Sequence, residues 1–104
     1  MRRPEIIAQI KQTVSEKMPN VQVWLYGSEA RGEARSDSDI DLLMLVDDDN
    51  LTLAKEEELT MPLYLLELQT GVSISPLVMT RKQWDDRPVN TPFYINVKNE
   101  GILL

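Results

Sequence analysis

The sequence predicts an α/β domain with a three-stranded core sheet and flanking helices, and three observations carry that reading. Residues 21–26, 40–46 and 72–79 are short runs rich in β-branched and aliphatic residues, the composition of strands. Longer stretches before and between them repeat apolar residues every three or four positions, the period of an amphipathic helix. The two patterns alternate along the chain instead of segregating, the order that covers a sheet with helices. With 104 residues, 42% of them hydrophobic, the chain fits a single domain over residues 1–104.

Taken in order, Pro4 suits the first turn of a helix, and Ile7, Ile10, Val14 and Met18 then form one apolar stripe. Pro19-Asn20 ends it. In residues 21–26, Val21, Val23 and Leu25 alternate with Gln22, Trp24 and Tyr26, which reads as a strand whose aromatic residues are packing residues. Gly27-Ser28 closes that strand, and Glu29-Ala30-Arg31 starts a short helix stopped by Gly32. Residues 40–46 form a nearly continuous apolar run, as in a central strand buried on both faces.

The acidic run Asp47-Asp48-Asp49 then returns the chain to solvent, because consecutive carboxylates cannot all face one point. Residues 52–70 are helical, with Leu59, Leu63 and Leu66 on one side and Glu56-Glu57-Glu58 solvated near the start. Pro62 should kink or split this helix, and Gly71 should end it. Pro76 removes a backbone donor from residues 72–79, placing that strand at an edge or on a bulge. Thr80 with Gln83 is a capping-box pattern for a short helix through Trp84. Thr91-Pro92 starts a last helix that Gly101 terminates. Surplus leucines of the long helix and the apolar Ile102-Leu103-Leu104 are available to dock on the domain or on a partner protein.

Composition excludes several chemistries. There is no cysteine and no histidine, so thiol catalysis, thiolate zinc sites and imidazole bases are absent. The formal charge of −6, with scattered Lys and Arg, lacks the basic footprint of a nucleic-acid binder. The amphipathic start, with Glu5, Lys11 and Glu16 behind two arginines, is no signal peptide, and no run is long enough to span a membrane. A cytoplasmic protein is expected.

Residues 27–43, GSEARGEARSDSDIDLL, hold the chemistry. Side chains alternate along a strand, so Asp39 and Asp41 point to one side and Ile40 to the other, with the two carboxylates about 6–7 Å apart along the strand. Such a pair can hold Mg²⁺, an ion that prefers oxygen ligands and takes the remainder from water and nucleotide phosphates. Gly27 permits close backbone approach to a ligand, Ser28 offers a hydroxyl, and the helix start presents free amides. Arg31 and Arg35 could add positive charge opposite phosphate oxygens. Arg31 could equally pair with Glu29, Glu33 or Asp37 on the surface, and Asp37 itself reads as a turn residue.

Gly27-Ser28, ten residues, then Asp39-Ile40-Asp41 resembles the signature of the DNA polymerase beta nucleotidyltransferase superfamily, and the fuller stretch is similar to its small prokaryotic branch, the minimal nucleotidyltransferases. The resemblance implies a mixed sheet, with Gly27 and Ser28 on the triphosphate and Asp39 and Asp41 as catalytic metal ligands. It implies transfer of a nucleotidyl group, AMP first among them, from NTP (ATP) with Mg²⁺ to a hydroxyl acceptor. It also implies a helical partner protein of the HEPN type, as in toxin–antitoxin operons. A small-molecule acceptor would need a dimer with a shared cleft.

One position departs from the family pattern. Active members usually carry a third acid on the next core strand, where this chain offers Ser73 or Ser75, and a serine hydroxyl is far too weak an acid to serve as a base. Either another acid completes the site, with Glu67 and the run Asp47-Asp48-Asp49 as candidates, or the chain is a catalytically weak or inactive binding subunit, an antitoxin.

Overall fold

The computed structural model describes residues 3–48 and 50–104; Met1, Arg2 and Asp49, the last of the acidic run, lie outside them. Elements follow in the order α1 (Pro4–Lys17), β1 (Gln22–Tyr26), α2 (Gly27–Arg31), β2 (Ile40–Val46), α3 (Leu53–Thr70), β3 (Ile74–Thr80), α4 (Arg81–Asp85), α5 (Pro92–Glu100) and β4 (Ile102–Leu103). The strands form one mixed sheet in the order β3-β2-β1-β4. β1 runs antiparallel to both β2 and β4, whereas β2 and β3 are parallel and joined through α3, since a parallel pair needs a long crossover.

The sheet therefore has four strands where three were expected. The fourth is the C-terminal apolar segment, which docks on the domain itself: Ile102 and Leu103 pair with Leu25 and Trp24, and the Leu104 amide donates to the Val23 carbonyl. Val21 and Val72 fall just outside β1 and β3, and Gly27 opens α2 instead of closing β1.

β2 is central and almost wholly buried, and its alternation divides the core in two. Ile40, Leu42, Met44 and Val46 join Val23, Leu25 and Val78 beneath α1 and α3, whose Ile7, Ile10, Val14, Leu59, Leu63 and Leu66 supply the facing layer. Leu43 and Leu45 face the other way, against Val97 and the half-buried Trp24, Tyr26, Met79, Trp84 and Phe93. Tyr26, Phe93, Trp84 and Tyr94 stack edge to face along that side, consistent with packing roles for Tyr26 and Trp84.

Most local signals act as the sequence implies. Thr52, Thr80 and Thr91 cap α3, α4 and α5 through their hydroxyls, and Thr80 with Gln83 completes a reciprocal capping box. Gly32 and Gly71 end α2 and α3 in the left-handed conformation. Pro76 lies in β3, an edge strand that among the described residues pairs with β2 alone. Pro62 does not split α3, which runs unbroken through 18 residues. Buried Leu59, Leu63 and Leu66 bracket the proline and tie both halves of the helix to the sheet, offsetting the lost backbone bond. No helix among the described residues is long and apolar enough to cross a membrane.

Candidate nucleotide and metal site

Antiparallel pairing of β1 and β2 brings the end of one strand to the start of the other, with Tyr26 opposite Asp41. Parallel pairing of β2 and β3 adds Ser75 on the far side of Asp41. The chain after Tyr26 turns at once into α2, with Gly27 at φ +76°. A Cβ on Gly27 would collide with Oδ2 of Asp41, so the glycine turn and the second aspartate are packed against one another. Residues 14 positions apart in sequence thus form one corner at the end of the sheet.

Asp39 is exposed and Asp41 half-buried. The Asp41 carboxyl is pushed above its ordinary range, first by partial burial and then by the Asp39 charge, while Arg31 opposes the shift. Burial, and after it the Asp41 charge, likewise raises the Tyr26 phenol. Holding two acids this close in one corner is unfavourable unless a cation joins them. Two carboxylates suit Mg²⁺, which fills its remaining positions with water and phosphate oxygens. Asp39 and Asp41 are the residues that would hold it.

The position opposite Asp41 on the next strand belongs to Ser75, whose hydroxyl donates to Oδ2 of Asp39 at 3.3 Å. Neither alternative acid groups with Asp39 and Asp41 as a shared metal site among the described residues. Glu67 accepts the Ile74 amide at 2.7 Å and so secures the head of β3 to α3. Asp47 pairs with Arg81 at the opposite end of β2, about 20 Å from Asp41 at the rise of a strand. Among the described residues no group of three or more acids is placed to share a metal ion.

The phosphate side differs from expectation. The Gly27 amide donates to Oε1 of Glu100 at 3.3 Å, and Nη1 of Arg31 donates to both Glu100 oxygens at 3.0 and 3.2 Å. Nε of Arg31 meets Glu33 at 3.1 Å. Ser28 is half-buried in the same turn. Arg35 lines a groove with Arg3, Glu33, Ala34, Ser36 and Val72. Glu29 is fully buried and bonded to both the backbone amide and Nε of Arg3, so α2 is anchored to the start of α1. Asp37 lies in a turn, as its type implies. Glu100 and the Arg3–Glu29 pair are the two participants that sequence reasoning missed. A lone glutamate at a helix end carries no local signal.

Residues 7–104 match the family model of the nucleotidyltransferase domain, and the chain belongs to that family. Among solved structures, a candidate minimal nucleotidyltransferase is 28% identical, the match covering 100% of this chain and 97% of the other with a TM-score of 0.66. A toxin–antitoxin structure with AMP-PNP is 21% identical over 92% of this chain and 69% of its own, with a TM-score of 0.63. A mutant of the toxin–antitoxin MntA-HpeT is 20% identical over 94% of this chain and 70% of its own, with a TM-score of 0.62. These last two likenesses are of fold. A search of the curated proteins gave no match.

Proposed function

We propose that the chain acts as a single minimal nucleotidyltransferase domain that binds a nucleoside triphosphate, ATP first among candidates, with Mg²⁺ and transfers the nucleoside monophosphate to a hydroxyl on a partner protein of the HEPN type in the cytoplasm. The observation that carries this is the corner itself. Asp39 and Asp41 stand at the head of a buried central strand, and the turn at Gly27 is packed so closely on Asp41 that no side chain fits between them. A toxin–antitoxin relative of the same fold holds AMP-PNP, which supports the choice of nucleotide and of partner.

In this reading Asp39 and Asp41 hold the metal, which supplies charge neutralisation, and Gly27, Ser28 and Arg31 hold the triphosphate. The acceptor oxygen bonds to the α-phosphorus while the bond to the β-phosphate oxygen breaks, its electron pair leaving with pyrophosphate. Ser75 cannot take the acceptor's proton, so the proton goes to Asp39 or to water.

A second reading has its own observation. Ser75 occupies the place opposite Asp41 where a third carboxylate would sit, so binding can persist while turnover is weak, leaving a binding subunit that neutralises its partner by contact. Labelled ATP, Mg²⁺ and the product of the neighbouring gene separate the two. Transfer of label that vanishes in Asp39→Asn and Asp41→Asn supports the enzyme. No transfer from any NTP, together with unchanged neutralisation by Asp39→Asn, supports the binding subunit.

A further inference from the structure

Glu100 occupies the turn at Gly27. Its two oxygens take the Gly27 amide and Nη1 of Arg31, a backbone donor and a cation from α2, with the Glu100 side chain 22% exposed. These are the donors assigned above to the triphosphate, and a carboxylate offers them a pair of anionic oxygens, as a phosphate does. The contact bridges 73 residues, so it is made by the fold and not by the local chain.

The backbone that carries Glu100 is fixed. Gly101 ends α5 with its amide on the Val97 carbonyl, and a Cβ on Gly101 would run into that carbonyl and crowd Trp24. Immediately beyond, Ile102 and Leu103 pair with β1. Held between helix and strand, Glu100 can leave the corner by rotation of its side chain without displacement of α5.

We infer that Glu100 is an internal competitor for the anion site, a side chain that a triphosphate must displace from the Gly27 amide and Arg31 before it binds. The inference takes its ligand from the nucleotide reading above, but the competition itself concerns any polyphosphate anion. The apparent affinity for such an anion is reduced by the fraction of molecules in which Glu100 holds the corner. Because the pair Arg31–Glu100 is partly solvated, the competition is modest, and its removal should tighten binding about fivefold. Glu33 is the internal control, since it shares Arg31 but makes its bond to Nε at the exposed side.

The test follows the Gly27 amide by ¹H–¹⁵N NMR while sodium tripolyphosphate is added without divalent metal, in the full chain and in Glu100→Gln, Glu100→Asp and Glu33→Gln. Glu100→Gln should lower the midpoint about fivefold, and Glu100→Asp, which keeps the charge but draws it back by one methylene, should lower it by a smaller factor. Glu33→Gln should change it less than Glu100→Gln. Equal midpoints for wild type and both Glu100 variants, or a Gly27 resonance that tripolyphosphate never moves, would overturn the inference and leave Glu100 as a structural tie between α5 and α2. A second titration uses AMP-PNP with Mg²⁺. Failure of every protein to bind it, while Glu100→Gln still gains tripolyphosphate affinity, overturns the nucleotide reading and leaves the competition standing.

Discussion

Gly27→Ala tests whether the turn proposed to hold the phosphate and the strand proposed to hold the metal form one unit. Two costs are combined at that position. Gly27 has φ +76°, and an L-residue in left-handed backbone loses roughly 1–2 kcal/mol. The new Cβ also collides with the Asp41 carboxylate, and overpacking of this kind costs about 1–3 kcal/mol. Gly71 separates the costs, since it has φ +72° but nothing within 4 Å of a Cβ, so Gly71→Ala carries the backbone cost alone. The expectation is a loss of about 1–2 kcal/mol for Gly71→Ala and about 2–5 kcal/mol for Gly27→Ala. In a domain of this size each kcal/mol lowers Tm by roughly 4–8 °C, so thermal and urea denaturation followed by circular dichroism resolves the difference. Repeating Gly27→Ala in an Asp41→Ala background removes the obstacle, and the cost should fall to that of Gly71→Ala. Equal losses at the two glycines, or the same Gly27→Ala loss in both backgrounds, would refute the packed corner.

Three further outcomes follow from the same geometry. Ser75→Asp puts a third carboxylate opposite Asp41; without metal it should lower stability by about 1 kcal/mol through like-charge crowding, Mg²⁺ should recover that loss, and label transfer should rise at least about tenfold if the missing acid limits turnover. The raised pKa of Asp41 means that the folded state holds this proton more tightly than the unfolded chain, so its contribution to stability falls as pH rises from the ordinary aspartate range through the raised value and stays lost above it; Asp41→Asn should therefore melt above wild type at pH 7, the gap should close by about pH 3, and Mg²⁺ should raise only the wild-type Tm. Glu29→Ala strands the Arg3 guanidinium, of which Nη1 and Nη2 are already buried without partners among the described residues, and should cost about 3–5 kcal/mol in urea denaturation, with Glu29→Gln losing less.

What the sequence makes legible is what short-range spacing encodes. Residues 40–46 read as a doubly buried central strand because side-chain alternation leaves no polar position after Asp41, and the same alternation puts Asp39 and Asp41 on one side. The family resemblance leaves Ser73 or Ser75 at the expected third-acid position, and the pairing of Ser75 with Asp41 selects Ser75. Long-range partners are another matter. Nothing near Glu100 marks it for Gly27, and nothing near Arg3 marks it for Glu29, because each pair exists only once the helices are seated. A two-residue strand such as β4 has too few positions to show a period, so its register is set by β1 and not by its own sequence. The unbroken α3 has the same cause: propensity at Pro62 is a local term, and the leucines packed around it act together.

On the proposed reading the corner's charges also couple its two ligands. The Arg31 charge reaches Asp41, while Glu33 and Glu100 already hold its guanidinium. A bare triphosphate would bring about four more negative charges to a site whose named cation is already shared between two carboxylates, in a chain of formal charge −6. A metal held only by Asp39 and Asp41 would lack the phosphate oxygens that Mg²⁺ takes from its substrate. Each ligand therefore lowers the cost of the other, and linkage makes that help mutual: the factor by which Mg²⁺ tightens AMP-PNP must equal the factor by which AMP-PNP tightens Mg²⁺. Glu100→Gln should raise nucleotide affinity but reduce that factor, because one of the charges that the metal helps to offset has been removed.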